Sequence, residues 1–207
     1  LLVADIYLEK ALTAQSLNYD LDGIHLLLDN SIKYNSGNPR ALFIEGNVQR
    51  KLKGYKKSED AYKKALKLFP YYSFIYNNLA ATYFEEGEFD EAKKACLKAI
   101  SIDPGYLEAH KNLALCYIKL DEKKLAAGEL KKLINTAYPS DDATKLLMDI
   151  VPDDPEAYYF MARMHRRRGN LEKAFEEVNI ALGMNKDYKK AIELKETINK
   201  EIQETAK

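Results

Sequence analysis

Residues 77–104 read NNLAATYFEEGEFDEAKKACLKAISIDP, and this stretch decides the fold. Apolar residues recur at helical spacing on both sides of Gly87. Before it they are Tyr76, which lies just upstream of the quoted stretch, Leu79, Ala80 and Tyr83, and after it they are Ala92, Cys96 and Ala99. Glycine supplies the turn conformation that costs other residues energy, and Pro104 cannot continue a helix. The stretch therefore predicts a helix, a tight turn, a second helix and a stop.

One short helix pair cannot bury its apolar side alone, and this pattern recurs every 34 residues in both directions. With Ser73 as position 1 of the frame, positions 8 and 20 hold small residues, which let two helices cross closely. Position 8 holds Gly46, Ala80 and Ala114, and position 20 holds Ser58, Ala92 and Ala126.

These residues resemble the tetratricopeptide repeat (TPR), a family that places a bulky residue at position 4, Leu at 7, a small residue at 8 and Tyr at 11. In this sequence the four positions are Tyr76, Leu79, Ala80 and Tyr83, and in the next unit His110, Leu113, Ala114 and Tyr117. The resemblance implies an all-α fold, a right-handed superhelical solenoid of antiparallel helix pairs with a C-terminal capping helix.

On this frame we expect a single TPR solenoid domain over residues 1–207. Its parts are a degenerate repeat at 5–38, well-matched repeats at 39–72, 73–106 and 107–140, an inserted short helix at 141–154, a repeat at 155–188 and a capping helix at 189–207. Repeat 5–38 is degenerate because Leu12 and Ile24 stand where small residues belong. Ser140 can cap the inserted helix, and the alternative is that 141–154 is a passive linker.

Composition restricts the class of partner. Lys and Arg number 32 and so do Asp and Glu, which argues against nucleic-acid binding through an overall basic field. No apolar run is long enough for direct membrane insertion of this segment. Cys96 and Cys116 fall at packing positions, so we expect reduced core thiols and a cytoplasmic protein rather than a disulfide or a metal site. Since the chain begins at Leu1, an upstream signal, anchor or catalytic domain stays open.

No catalytic motif is present, so we expect no enzyme, no cofactor and no metal. His25, His110 and His165 fall in three different repeats, and there is no HExxH, phosphate-binding glycine loop or GxSxG. Glu85 and its acidic neighbours flank the inter-helix turn, where solvated charges are expected.

The resemblance implies instead a peptide-binding site on the first helix of each repeat, which lines the concave groove in this family. The candidate residues are Asn47, Asn78, Asn112, Phe43, Phe74, Asn77, Lys111, Tyr159, Arg163 and Arg167. Asparagine offers a donor and an acceptor together, so it can pair with a peptide unit of any sequence. This resembles the asparagine ladder of O-GlcNAc transferase; the alternative is that these asparagines reflect family ancestry alone.

Two charge patterns refine this expectation. The carboxylate clamp that some TPR proteins use for chaperone tails needs cations where this sequence has Phe43, Glu108 and Asn112, so we reject it. The run HRRRGN at 165–170 is either a solvated helix end or a basic end to the groove that receives an acidic stretch.

Three functions remain open. The favoured one is a scaffold or adaptor that holds a peptide segment or a helix of a partner protein in the concave groove. The second is a self-assembling structural protein, a homo-oligomer formed through the N-terminal repeat, whose opening residues are apolar. The third is a recruiting fragment of a larger enzyme or secretion component.

Overall fold

The computed structural model describes residues 2–17, 20–137 and 139–205, and these residues contain twelve helices and no strand. The helices are α1 (Leu2–Ser16), α2 (Leu21–Tyr34), α3 (Pro39–Lys51), α4 (Tyr55–Leu68), α5 (Ser73–Glu86), α6 (Phe89–Ile102), α7 (Leu107–Lys119), α8 (Lys123–Ile134), α9 (Asp141–Ile150), α10 (Pro155–Arg167), α11 (Leu171–Met184) and α12 (Lys189–Thr205). The predicted all-α fold of antiparallel helix pairs is confirmed.

The chain divides into two compact units, residues 1–116 and residues 117–207. In the first unit neighbouring helices pack in sequence, from α1 against α2 to α5 against α6, and α3 also contacts α5. In the second unit helices α8 to α12 pack in the same sequential manner, and α10 also contacts α12. The prediction of one continuous domain over 1–207 stays a prediction.

In the tight turn between the two helices of a repeat, the residue at one frame position has a left-handed backbone conformation. Gly87 has φ 91°, and the residues at the equivalent position 15 of three other repeats, Lys53, Asp121 and Gly169, have φ 60°, 58° and 76°. Only glycine adopts this conformation without a Cβ penalty, so two of the four repeats accept strain to keep the turn.

Close helix crossing explains the small residues of the frame. At Gly46 an added Cβ would lie 2.5 Å from Cε1 of Tyr62, so α3 meets α4 where no larger side chain fits. Ser58 reinforces the crossing, because its hydroxyl donates to the Gly46 carbonyl at 2.8 Å. At Ala92 the side chain is completely buried.

The degenerate first repeat is a helix pair as well. Ile24 and Leu28 of α2 are buried against Leu8 of α1 and join the core of the following repeat through Ile44. Buried Ser31 donates its hydroxyl to the Ala4 carbonyl at 2.8 Å, which ties α2 to α1.

Segment 141–154 holds the short helix α9, and Ser140 caps it by accepting the amide of Ala143 at 3.2 Å. Leu147 of α9 is buried, and α9 packs against both α8 and α10. At the end of the chain, α12 buries Ala191, Leu194 and Ile198. No helix among the described residues is both long and apolar enough to cross a bilayer.

Candidate functional site

The first helices of successive repeats meet in the unit 1–116, where α5 contacts both α3 and α7. The rings of Phe43 and Phe74 pack edge to face with centroids 5.1 Å apart. Asn112 Nδ2 donates to Asn77 Oδ1 at 2.8 Å. We call this surface the amide face and define it by five half-buried side chains. They are Phe43, Asn47, Phe74, Asn78 and Asn112.

Asn47 is held in place by the second helix of its own repeat. The hydroxyl of Tyr62 donates to Asn47 Oδ1 at 2.6 Å. Burial raises the pKa of Tyr62 to about 12, so the hydroxyl keeps its proton and this bond persists across the physiological pH range. The Nδ2 group of Asn47 has no hydrogen-bond partner among the described residues, so a fixed amide offers its donors outward.

Asn78 and Asn112 present the opposite half of the amide group. Asn78 Nδ2 donates to the carbonyl of Phe74 in its own helix at 2.8 Å, and Asn112 Nδ2 donates to Asn77 Oδ1. Within the described part of the chain, the Oδ1 atoms of Asn78 and Asn112 receive no hydrogen bond. The amide face therefore combines an oriented donor with two oriented acceptors.

Two of the predicted site residues have other surroundings. Asn77 is only 6% exposed, and it serves Asn112 as a hydrogen-bond partner rather than facing solvent. Lys111 is exposed and pairs with Glu108 of its own helix at 3.5 Å. Exposed pairs of this kind contribute little energy, so Glu108 holds Lys111 only weakly.

An aromatic cluster borders the amide face and includes residues that the sequence frame did not single out. Tyr72 packs against Phe74 with centroids 4.8 Å apart, and Phe69 packs against Tyr72 at 5.3 Å. Phe69 and Tyr72 are exposed, at 42% and 43%. Together with Phe43 they form an apolar, partly uncovered surface beside the amides.

Tyrosine at frame position 34 is a repeated feature that sequence reasoning missed. Tyr72 contacts Phe74, Tyr106 accepts from Asn77 Nδ2 at 3.5 Å, and Tyr188 packs on Tyr159 with centroids 5.3 Å apart. Each of these tyrosines thus touches position 2 or position 5 of a first helix. Its recurrence in three repeats at one frame position was the signal that could have found it.

A cross-helix ion pair joins the last turns of α3 and α5. Arg50 of α3 pairs with Glu85 of α5, although the sequence suggested only a solvated carboxylate there. Both side chains are partly exposed, at 24% and 40%, so the pair contributes little to stability.

The remaining predicted site residues lie on α10 in the unit 117–207. The guanidinium of Arg163 lies 5.7 Å from the ring centroids of both Tyr159 and Phe160, and Arg163 donates to Asn135 Oδ1 at 3.2 Å. Arg167 pairs with Asp141 of α9.

The other arginines of this basic run are also paired. Arg166 makes a bidentate contact with Glu201 of α12, with its Nε 3.0 Å from Oε2 and its Nη2 2.6 Å from Oε1. Arg168 approaches Asp141 Oδ2 at 2.8 Å through its Nε. The run is therefore largely neutralised by two carboxylates of its own unit, which lowers its capacity for an acidic ligand.

His110 and the two cysteines are buried in the core. His110 is buried, and its Nε2 lies 3.0 Å from the carbonyl oxygen of Pro104. Cys96 and Cys116 are free and buried, and the hydrogen bond between them together with burial raises the pKa of the Cys96 thiol. No group of three or more potential metal ligands occurs within the described ranges.

Comparison with known families agrees with this geometry. Residues 39–72 and residues 73–106 each match a model described as tetratricopeptide repeat. The fold and the two matched repeats place the chain in the class of helical repeat proteins that serve as protein-interaction scaffolds. The chain is a tetratricopeptide repeat protein.

Curated relatives share only part of their length with this chain. The chain is 35% identical over 85 residues to the TPR repeat-containing thioredoxin TTL4 of Arabidopsis thaliana, and 40% identical over 107 residues to sperm-associated antigen 1 of Mus musculus. These alignments cover 41% and 52% of this chain and 12% of each relative. The chain therefore spans about an eighth of the length of these relatives.

Solved structures show the same fold over most of the chain. MamA is 20% identical with a TM-score of 0.58, over 91% of this chain and 94% of MamA. YrrB, titled as a TPR protein with an unusual peptide-binding site, is 19% identical with a TM-score of 0.54, over 92% and 90%. The first TPR of Spaghetti (RPAP3) bound to the HSP90 peptide SRMEEVD is 23% identical with a TM-score of 0.53, over 55% and 93%.

Proposed function

We propose that the chain is an adaptor that binds an extended segment of a partner protein on the amide face. The observation that carries this proposal is that three asparagine side chains each use only one of their two polar groups in a hydrogen bond within the protein. Asn47, Asn78 and Asn112 each use one side of the amide for a hydrogen bond within the protein, and the other side has no hydrogen-bond partner in the described part of the chain. Such fixed groups bind without first losing rotamer freedom, which raises affinity.

The chemistry of the face favours an uncharged, partly apolar segment. The oriented donor of Asn47 suits a peptide carbonyl, and the acceptors of Asn78 and Asn112 suit peptide N–H groups. Phe69 and Tyr72 provide a surface for one apolar side chain beside this backbone track.

An acidic C-terminal tail, such as the peptide bound by the RPAP3 repeat, fits less well. Phe43, Glu108 and Asn112 stand where the clamp cations would be, so nothing compensates for the cost of desolvating several carboxylates. Binding of an acidic segment at Arg163 and Arg167 stays a separate prediction about the other unit.

Location and catalysis belong to the same proposal. Buried free thiols at Cys96 and Cys116 are compatible with a reducing compartment, so we propose a cytoplasmic adaptor. The repeats supply recognition, and we propose no catalytic role for them.

The test begins with a selected peptide. Random peptides of about a dozen residues are displayed on phage and selected on the immobilised protein, and the affinity of the best one is measured by fluorescence anisotropy. Replacing Asn47, Asn78 and Asn112 together with Ala removes three hydrogen bonds of roughly 1 kcal/mol each, so affinity should fall on the order of a hundredfold.

A second variant separates binding from packing. Asn47→Asp keeps the acceptor for the Tyr62 hydroxyl but replaces the outward donor by an oxygen, so affinity should fall by about tenfold or more with an unchanged melting temperature. Asn30→Ala is the matched control for the change at Asn78. Asn30 Nδ2 donates to the carbonyl of Leu26, four residues back, at 2.8 Å, as Asn78 does to the carbonyl of Phe74, but Asn30 lies on α2. Equal affinities for the wild type, the triple variant and Asn47→Asp would contradict the proposal.

A further inference from the structure

A pair of thiols lies in the core where α6 meets α7, and the amide face does not use it. Cys96 of α6 is completely buried, and Cys116 of α7 has 1% of its surface exposed. Both cysteines are free, and their thiols are hydrogen-bonded to each other. The sequence contains two cysteines in all, so each is the other's one possible partner within the chain.

The repeat frame shows that packing does not require sulfur at either position. Position 24, which holds Cys96, holds Val178 in another repeat, and position 10, which holds Cys116, holds Val48 in another repeat. Both valines are buried, so an apolar side chain without sulfur fills the same place in the core. The paired thiols are therefore a feature of this one repeat interface rather than a requirement of the fold.

We propose that Cys96 and Cys116 form a modification site, at which oxidation by a peroxide joins α6 to α7 through a disulfide bond. The free thiols of the structure are the reduced form of this site. A cysteine side chain has one rotatable bond before its sulfur, so rotation about χ1 of the two residues brings the hydrogen-bonded sulfurs to the disulfide length of about 2 Å. A dithiol reductant reverses the bond, as expected of a transient disulfide in a reducing compartment.

The two thiols have different roles in the reaction. The hydrogen bond with Cys96 lowers the pKa of the Cys116 thiol, and the charge of Lys93 also favours the thiolate, although burial opposes both. Cys116 is therefore the thiol that gives up its proton and attacks the peroxide. Its sulfur gains one oxygen to become a sulfenic acid, the O–O bond breaks, and the hydroxide that leaves takes up that proton as water.

The second step closes the disulfide. The sulfur of Cys96 attacks the sulfenic sulfur of Cys116, the S–O bond breaks, and hydroxide leaves with the proton of the Cys96 thiol as a second water. Two thiols and one hydrogen peroxide thus give one disulfide and two waters, and the peroxide accepts the two electrons. Because both thiols are buried, the peroxide enters when the interface between the repeats opens locally, so we expect oxidation over minutes rather than seconds.

The disulfide would fix an interface that also orients part of the amide face. Asn112 precedes Cys116 on α7 by about one helical turn, and Asn77 belongs to the same repeat as Cys96. The hydrogen bond from Asn112 to Asn77 crosses between these two repeats. A covalent bond from α6 to α7 therefore limits how far the two asparagines can separate.

Peptide mapping tests the site directly. The folded full-length chain is treated with hydrogen peroxide, quenched with catalase, unfolded in urea, alkylated with N-ethylmaleimide and digested with trypsin. We expect the two cysteine peptides to appear joined, without maleimide, and to separate with one reactive thiol each after treatment with a dithiol. These peptides, residues 95–98 and 112–119, contain no methionine, so methionine oxidation does not disturb the masses. Cys96→Val and Cys116→Val are the matched controls, since each places a residue found at the same frame position elsewhere, and neither should yield joined peptides.

Urea unfolding shows whether the folded core accepts the bond. The disulfide closes a loop of about 20 residues, which should raise the midpoint of unfolding by about 1 M. The dithiol should reverse this rise, and peroxide-treated Cys96→Val should show none.

Each contrary outcome overturns the proposal. If both thiols still react with maleimide after peroxide treatment, they do not form a site of oxidation. Sulfinic acids that a dithiol cannot reduce would show that the two sulfurs do not meet, and disulfide-linked dimers on a non-reducing gel would show pairing between chains. A lower urea midpoint for the oxidised chain would show that the core rejects the bond. Asn47→Asp should form the disulfide as the wild type does, so this test is independent of peptide binding.

Discussion

Gly46→Ala should destabilise the protein, although replacing a helical glycine with alanine usually stabilises. The new Cβ would lie 2.5 Å from Cε1, 2.6 Å from Cδ1 and 2.8 Å from Cζ of Tyr62. Three ring atoms are involved rather than a flexible side-chain end, and Tyr62 is completely buried. The ring must therefore move, and its hydroxyl leaves Asn47.

The opposing contributions can be estimated. Overpacking costs about 1–3 kcal/mol, and the lost hydrogen bond of Tyr62 costs roughly 1 kcal/mol. Removing glycine from a helix interior returns about 0.5–1 kcal/mol. The expected net loss is about 2 kcal/mol, which lowers the midpoint of urea unfolding by about 1 M when the slope is about 2 kcal/mol per M.

The matched control is Gly128→Ala, because an added Cβ at Gly128 in α8 meets nothing within 4 Å. This variant should gain about 0.5–1 kcal/mol. In a double-mutant cycle, Tyr62→Leu should remove most of the cost of Gly46→Ala, since the smaller side chain leaves room. If Gly46→Ala stabilises the chain as Gly128→Ala does, or if Tyr62→Leu leaves the cost unchanged, the steric argument is refuted.

Two further outcomes are expected. Burial raises the pKa of Glu59, but hydrogen bonds from two lysines and Tyr83 outweigh burial and lower the pKa to about 2. Between about pH 2 and 4.5 the folded state therefore binds fewer protons than the unfolded state. The unfolding free energy should therefore fall as pH decreases through this window, and Glu59→Gln, measured by urea unfolding at several pH values, should lose this part of the dependence. Lys53→Gly should stabilise by up to about 1 kcal/mol, since Lys53 has φ 60°, while Gly87→Ala should destabilise by a similar amount; equal melting temperatures for the two variants would contradict this.

Local patterns predicted the fold because the repeat is a local unit. The 34-residue spacing of small and aromatic residues is sufficient to indicate helix pairs, and Gly87 alone indicates the turn. The shared left-handed turn at Lys53 was not readable from residue type, because lysine does not signal this conformation. This conformation becomes predictable only when Lys53 is aligned with Gly87, which occupies the same frame position in the neighbouring repeat.

The candidate site was predictable in its residue types but not in its hydrogen bonds. Asn47 and Asn112 were placed on first helices by the frame, and the structure finds them there. Their partners depend on side-chain rotamers and on residues 15 and 35 positions away, Tyr62 and Asn77, so no local pattern determines them. For the same reason the pairing of Arg50 with Glu85 could not be deduced from composition.

The bond between Tyr62 and Asn47 has a consequence for how such a chain can grow by gene duplication. Both residues belong to repeat 39–72, so a duplicated copy of this repeat carries its outward amide together with the group that orients it. A copy of repeat 107–140 would carry Asn112 without Asn77, and its amide would be oriented only if the new neighbour supplied an equivalent acceptor. The oriented amide can thus be inherited whole from one repeat and only in part from the other, so repeat 39–72 is the better unit for lengthening the amide face in evolution or in design.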